Sequence, residues 1–149
     1  MSTEHEILNE FMVDIFYSIL NKEEKALEYL SNGKLTLKEI HVIEQVFKTL
    51  KTGNNTFSNI ANGLKISLGT LTESFSKLEK KGYLIKEQDK NDKRVFYIVP
   101  TPIAQMIDAE HTKWHKQLID NIINKVPDAD LVNFINSIQK LREFFKKKN

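Results

Sequence analysis

The middle of the chain carries the pattern that most restricts its fold. Two short helices open at the capping residues Thr56 and Ser67, and the second helix closes at Gly82. Segments 83–88 and 94–99 follow. Both are rich in strand-forming residues and a polar stretch separates them, which is typical of a β-hairpin. Two capped helices followed by a hairpin predict a winged helix-turn-helix.

Long helices are predicted before this segment. Apolar residues recur at three- and four-residue steps from Ile7 to Leu30, which indicates an uninterrupted amphipathic helix of roughly 25 residues that Ser2 can cap. Thr36 and Glu39 form a capping box at the start of the next helix. A first helix of this length often packs against a second protein chain.

Two more helices are predicted after the hairpin. Thr101 and Pro102 have the cap-then-proline order of a helix start, and this helix extends to about Asn124. Pro127 stops it, and Asp128 is the expected cap of the last helix. The predicted fold class is therefore mostly α, a winged helix-turn-helix with the element order α-α-α-α-β-β-α-α.

The composition excludes several classes of protein. The chain has 149 residues, of which 40% are hydrophobic and 28% are charged, which suits one compact domain with a further arm. It has no cysteine, so disulfides, thiolate nucleophiles and cysteine-ligated zinc are excluded. No apolar run reaches the roughly 18 residues of a membrane span, and no secretory signal is present. We therefore expect a cytoplasmic protein with no membrane partner.

Positive charge is concentrated in the middle segment. The net charge of the whole chain is only +2, but residues 56–98 hold eight Lys or Arg against five Asp or Glu, a local charge of +3. A polyanion would bind most favourably there. Charge alone also fits an ordinary solvated surface. The element order, a hydroxyl-rich helix face and a basic hairpin tip together favour double-stranded DNA.

The second short helix is the predicted recognition helix. Leu68, Leu71, Phe75 and Leu78 form an apolar stripe that we expect to hold it to its domain. A helix held in this way fits the major groove of DNA with its opposite face. The residues expected to contact DNA from that face are Ser67, Gly69, Thr70, Thr72, Ser76, Lys77 and Lys80.

The tip of the hairpin supplies the second predicted DNA contact. Asp92 precedes Arg94 by two residues, and its carboxylate is expected to hold the guanidinium for insertion into a minor groove. The remaining expected contacts at the tip are Lys90, Asn91 and Lys93. A DNA-binding protein without sequence preference is a further alternative, although it would be expected to carry a more basic chain.

Three histidines and a glutamate form a candidate metal site. His111 and His115 are one helical turn apart and so share a helix face, and with His41 and Glu23 they would complete a tetrahedral zinc site. A buried, hydrogen-bonded histidine at a helix junction is the alternative. Four protein ligands would leave no open position for a catalytic zinc, and phosphate-binding or hydrolase motifs are absent from the sequence. The chain is therefore not expected to be an enzyme.

Three motifs of the middle segment resemble the MarR family of bacterial transcription regulators: SLGTLT at 67–72, LEKKGYL at 78–84 and DKR at 92–94. The resemblance implies a repressor that binds a pseudo-palindromic operator as a two-fold homodimer. It implies an N-terminal dimerisation helix at 1–34, a winged helix-turn-helix domain at 35–100 and C-terminal dimerisation helices at 101–149. One departure is that the recognition helix has no arginine, so direct readout of guanine should be poor.

Within that family, segments 38–41 and 111–115 are similar to the FabT-like branch of fatty-acid-synthesis repressors. This resemblance implies long-chain acyl-acyl carrier protein as the effector, bound between the dimer arms and the DNA-reading domains. The residues expected to line its pocket are Phe16, Ile19, Leu20, His41, Phe47, Met106 and Ile107.

Two other effectors remain open from the sequence. The spacing of Glu23, His41, His111 and His115 is also similar to the ligand spacing of the family's zinc-uptake repressors. Those proteins tend to have a cysteine in the arm, which this chain lacks. A sensor of a small aromatic compound is the other alternative.

Overall fold

The computed structural model describes residues 3–147, and this part of the chain contains six helices and two strands. They are α1 (Thr3–Ser31), α2 (Leu37–Leu50), α3 (Phe57–Leu64), α4 (Leu68–Lys80), β1 (Leu84–Gln88), β2 (Phe96–Pro100), α5 (Pro102–Lys125) and α6 (Asp128–Lys146). This order confirms the predicted mostly α winged helix-turn-helix. Ser2, the expected cap of α1, lies outside the described residues.

The chain divides into two compact units, residues 1–111 and 112–149, and α5 runs through the boundary. The first unit contains the winged helix-turn-helix with α1 and the first part of α5. The second contains the rest of α5 and α6. The three-part division expected from the sequence concerns the roles of the segments, and it stays a prediction.

The core of the first unit lies where the winged-helix elements pack together. Ile40 and Ile43 of α2 and Leu71 of α4 are completely buried, and in each helix the apolar positions recur at three- or four-residue steps. Leu27 of α1 and Ala104 of α5 are buried in the same cluster. The end of α1 and the start of α5 are therefore anchored in the core of the winged helix.

Side-chain caps determine where three of the helices begin. Thr36 caps α2 within the predicted capping box, Thr56 caps α3 and Ser67 caps α4. Each hydroxyl accepts a hydrogen bond from the backbone N–H three residues further on, which satisfies one of the N–H groups that a helix start leaves without an intrahelical partner. All three caps confirm the sequence-based predictions.

The expected start of α6 is wrong, and the end of α3 is unusual. α3 ends at Leu64, and Lys65 takes the left-handed conformation (φ +57°) that glycine usually supplies at a helix end. The N-cap of α6 is Pro127, without a side-chain cap bond. Asp128 is instead the first helical residue, where its carboxylate interacts favourably with the helix dipole.

Gly82 ends α4 as predicted and joins the helix to the hairpin. With φ at +83°, it allows its own N–H to donate to the Glu79 carbonyl and the Tyr83 N–H to donate to the Leu78 carbonyl. Thr101, expected as the cap of α5, donates its hydroxyl to the Gly82 carbonyl over 2.7 Å. The end of α4, the base of the hairpin and the start of α5 are therefore held together.

The two strands pair antiparallel, with Leu84 opposite Pro100 and Gln88 opposite Phe96. The segment before α3 fixes the base of this hairpin. The Asn55 side chain donates to the Ile98 carbonyl, and the Ile98 N–H donates to the Asn55 carbonyl, each over 2.9 Å. The hairpin is the predicted wing, anchored at its base, with its tip at residues 89–95.

α1 and α6 each leave a large apolar face in solvent. Leu8, Phe11 and Phe16 of α1 are more than half exposed, as are Phe144 and Phe145 of α6. α6 contributes no buried residue at all within its described length. Apolar faces of this extent are commonly covered by another chain or by a ligand. None of the helices within 3–147 is long and apolar enough to cross a membrane.

Candidate nucleic-acid interface

α4 places one side against the core and the other in solvent. Leu71, Phe75 and Leu78 are at most 4% exposed, as the apolar stripe predicts. Leu68 is 52% exposed, so the expectation that it helps to hold α4 to the domain is wrong. Its side chain lines an open groove beside the wing instead of entering the core.

The predicted DNA contacts of α4 lie on its solvent side. Thr70 is partly buried. The exposed members of the set are Ser67, Gly69, Thr72, Ser76, Lys77 and Lys80. The Lys77 ammonium lies 4.0 Å from the Glu73 carboxylate, so this face also carries negative charge. The structure therefore brings the predicted residues to one accessible helix face.

The hydroxyls of this face are partly occupied by bonds within α4. Ser67 Oγ accepts from the Thr70 N–H and lies 2.8 Å from Thr70 Oγ1. Thr72 Oγ1 donates to the Leu68 carbonyl over 2.8 Å. Since the Thr72 proton is already donated, its oxygen is left chiefly as an acceptor. The sequence did not indicate this restriction.

Arg94 and Asp92 form the predicted pair at the wing. The Arg94 Nε and Nη2 groups donate to the two carboxylate oxygens of Asp92 over 3.1 and 3.3 Å, and the Arg94 backbone N–H donates to Oδ1 over 3.0 Å. These bonds, led by the guanidinium, lower the pKa of Asp92. The Arg94 side chain is 90% exposed, so the guanidinium is held in place and remains accessible.

Asp89 organises the tip, a role that was missed in the sequence. Its Oδ2 accepts from the backbone N–H groups of Asn91 and Asp92, and its Oδ1 accepts from the Tyr97 hydroxyl, each over 2.9 Å. The two backbone bonds and then Tyr97 lower the pKa of Asp89, and the same contact raises the pKa of Tyr97. An aspartate that starts a polar turn was the available signal.

A groove of about 440 Å³ separates α4 from the wing. Phe57 and Phe75 lie in its lining with their rings edge to face, 5.0 Å apart. Lys86 lies over the Phe96 ring at 5.2 Å from its centroid. The full lining is Thr56, Phe57, Ser58, Leu68, Thr72, Phe75, Ser76, Glu79, Lys86, Arg94, Val95 and Phe96. The groove is therefore apolar inside, with polar and charged groups from both α4 and the wing.

Three of the predicted metal-ligand residues meet in the first unit. The Glu23 carboxylate lies 3.2 Å from His111 Nε2 and 3.5 Å from His41 Nε2. His111 Nδ1 contacts Glu44, a residue that was not among the metal ligands predicted from the sequence. Burial opposes protonation of His111, but the carboxylates of Glu44 and Glu23 outweigh it and raise its pKa. His115, one turn further along α5, belongs to the second unit.

Comparison with known proteins identifies the fold and a family that the winged helix resembles. The sequence model of the MarR family matches residues 35–96, from just before α2 to the start of β2. The crystal structure of Streptococcus pneumoniae FabT in complex with DNA is 27% identical to this chain, with a TM-score of 0.85. The alignment covers 95% of this chain and 97% of that chain, including the long helices on either side of the winged helix. The similarity to the MarR family in sequence therefore extends over the winged helix-turn-helix.

Other solved structures share the fold of this chain at lower identity. A variant of MepR from S. aureus is 16% identical with a TM-score of 0.75, over 93% of this chain and 98% of that chain. A MarR family protein from Bacillus stearothermophilus is 18% identical with a TM-score of 0.69, over 98% of this chain and 100% of that chain. No curated protein sequence matches the chain.

The residues expected to line an effector pocket have mixed environments in this chain. Ile107 is buried in the core, whereas Phe16 and Met106 are more than half exposed and Ile19 is 37% exposed. The partly buried members are Leu20, His41 and Phe47. The pocket therefore stays a prediction.

Proposed function

We propose that this chain is a MarR-type transcriptional repressor that binds a pseudo-palindromic operator as a homodimer. The observation that carries the proposal is the exposed hydroxyl- and lysine-bearing face of α4 beside a wing whose Arg94 is held by Asp92. The match to the MarR family and the similarity to FabT of Streptococcus pneumoniae, solved in complex with DNA, support it. Such a protein acts by binding rather than by catalysis, and it acts in the cytoplasm, where bacterial DNA lies.

The proposed contacts divide between base recognition and positioning. α4 enters the major groove with its first turn, and Lys77 and Lys80 near its other end are suited to phosphates. Arg94 enters the adjacent minor groove, where the negative potential favours a guanidinium. Lys90, Asn91 and Lys93, exposed at the same tip, contact the flanking backbone. Because α4 carries no arginine, its short side chains and backbone supply the base contacts.

The proposed dimer sets the spacing of the two recognition helices. Consecutive half-sites on one face of DNA are about 34 Å apart, one turn of the duplex. The exposed apolar faces of α1 and α6 support an interface between two copies of the chain. An effector changes operator affinity by binding more tightly to one spacing of the recognition helices than to the other.

Selection from a pool of random duplexes tests the proposal. We expect the purified chain to enrich an inverted repeat and to bind it at least about a thousandfold more tightly than unrelated DNA at the same salt concentration. Equal binding to both would indicate a DNA-binding protein without sequence preference. No binding to either, by a correctly folded protein, would overturn the proposal.

For the effector, we propose long-chain acyl-acyl carrier protein, as in the FabT-like branch. The 27% identity and TM-score of 0.85 to Streptococcus pneumoniae FabT support this branch. Native mass spectrometry of the dimer with acylated and unacylated carrier tests it. Capture of the acylated carrier alone is the expected result, and equal capture of both, or of neither, would contradict it.

Zinc is the second candidate effector, and the placement of the Glu23 carboxylate beside two imidazoles favours it. The proposed ligands within the first unit are Glu23, His41 and His111. Both ring nitrogens of His111 already contact carboxylates, so zinc would have to displace at least one of these contacts. The same mass spectra, recorded with and without a chelator, test this. A stoichiometric, chelator-removable zinc supports the site, whereas a metal-free dimer after incubation with zinc contradicts it.

A further inference from the structure

Leu68 is an apolar side chain that the winged helix does not use for its own core. It is 52% exposed, whereas the other three apolar residues of its stripe are at most 4% exposed. The position of Leu68 is also well defined. Leu68 follows the cap residue Ser67 as the first residue of α4, and it lines the groove between α4 and the wing.

The groove places Leu68 beside groups that suit DNA. Arg94 and Lys86 bring positive charge to the lining, and Glu79 brings a single carboxylate. Thr72, one helical turn after Leu68, lies on the same side of the groove. Since charge complementarity favours a polyanion, the occupant that fits this groove is a strand of duplex DNA.

The chemistry of the major groove then limits what Leu68 can contact. The base edges there present hydrogen-bond donors and acceptors, and the one apolar group is the 5-methyl group of thymine. A leucine side chain can form no hydrogen bond and gains by removing apolar surface from water. The Thr72 hydroxyl, which already donates to the Leu68 carbonyl, adds no donor at this position.

We propose that Leu68 determines operator specificity by packing against the 5-methyl group of a thymine in each half-site. The inference rests on the proposed DNA binding and adds the base that the first turn of α4 selects. It also accounts for base selection by a recognition helix that lacks arginine.

The test removes one methyl group at a time from the DNA. The selected operator is synthesised with deoxyuridine in place of each thymine in turn, and affinity is measured by fluorescence anisotropy at constant salt for the wild type and Leu68→Ala. At one thymine of each half-site, loss of the methyl should weaken wild-type binding by about fourfold, the value of one buried methyl group. Leu68→Ala should bind the thymine operator more weakly and be insensitive to deoxyuridine at that position.

Leu50→Ala is the matched control, because Leu50 is an exposed leucine of α2 that does not line the groove. It should respond to deoxyuridine as the wild type does. The inference is overturned if Leu68→Ala binds as tightly as the wild type, or if every deoxyuridine substitution affects both proteins equally. Failure of the wild type to select any DNA is a different result, because it overturns the proposed function and removes the basis of this inference.

Discussion

At the scale of single residues, the tip of the wing depends on two aspartates. Asp92 holds the Arg94 guanidinium through both carboxylate oxygens, and Asp89 holds the backbone on which Asp92 sits. Neither aspartate is in the core, so their substitution should affect DNA binding more than folding. Substitutions of Arg94 and of Asp89 therefore distinguish the charge proposed to contact DNA from a carboxylate that positions the wing tip.

Replacing Arg94 with alanine should weaken operator binding and reduce the dependence of affinity on salt. A lost phosphate-neutralising charge lowers the slope of log affinity against log salt by about one. Titrations at several salt concentrations measure both quantities. Lys48→Ala, which removes an exposed charge of α2 outside the predicted interface, is the control. An unchanged slope and affinity for Arg94→Ala would exclude the wing as a DNA contact.

Replacing Asp89 with alanine should release the wing tip while leaving the domain folded. The Asn91 and Asp92 amides lose their acceptor, and Tyr97 loses its partner. We expect faster hydrogen exchange at these amides and operator binding weaker by several-fold, with little change in melting temperature. Tyr97→Phe removes only one of the three bonds and should have a smaller effect. Unchanged exchange in Asp89→Ala would argue against its positioning role.

At the scale of helices, the sequence predicts features that depend on neighbouring residues better than contacts between residues far apart in the chain. The caps at Thr36, Thr56 and Ser67 act within one turn of the chain, so the sequence placed these helix starts correctly. Glu23 of α1, Glu44 of α2 and His111 of α5 form a cluster of residues that are far apart in the sequence. Periodicity alone could not predict that Glu44 takes part. His111, at its centre, is 1% exposed.

The raised pKa of His111 predicts that stability depends on pH. Protonated His111 is stabilised by Glu44 and Glu23. Its contribution to the free energy of unfolding is therefore fully present below 6.5, the pKa in the unfolded chain, and is lost as pH rises through the higher pKa of the folded state. Urea unfolding between neutral and alkaline pH should show this loss for the wild type and not for His111→Gln.

The pKa of Asp108, one turn before His111, is also raised, by burial and then by the Glu44 carboxylate. A raised carboxyl pKa also makes stability fall as pH rises, because the folded state again binds the proton more tightly than the unfolded state, but this loss begins at the ordinary carboxyl value of 3.8 rather than at 6.5. The difference between the wild type and His111→Gln separates the two contributions. A difference that does not change with pH would contradict the assignment to His111.

At the scale of the whole molecule, the exposed apolar faces of the long helices matter most. Repeated apolar residues predicted both helices, but whether such a face is buried depends on what packs against it. None of the described residues of α6 is buried. This is the expected state of a surface that becomes buried only when two chains associate.

Replacing Phe11 with aspartate should therefore disrupt the dimer. A carboxylate in an apolar interface must lose its hydration without gaining a partner. Sedimentation velocity should show a shift from dimer to monomer, and affinity for the inverted repeat should fall towards that for a single half-site. Asn21→Asp places the same charge at an exposed position on the polar side of the helix, which it shares with Glu10 and Glu28, and should remain dimeric. A dimeric Phe11→Asp protein would remove α1 from the proposed interface.

The sequence by itself determined the element order, most helix starts and the pairing of Asp92 with Arg94 at the wing, because caps, turns and apolar periodicity act between residues close together in the chain. Only the tertiary structure decided that Leu68 faces a groove and that Asp89 meets Tyr97 across the tip. The apolar stripe of α4 could not distinguish Leu68 from Leu71, since burial depends on the elements that pack around a helix and not on its own spacing.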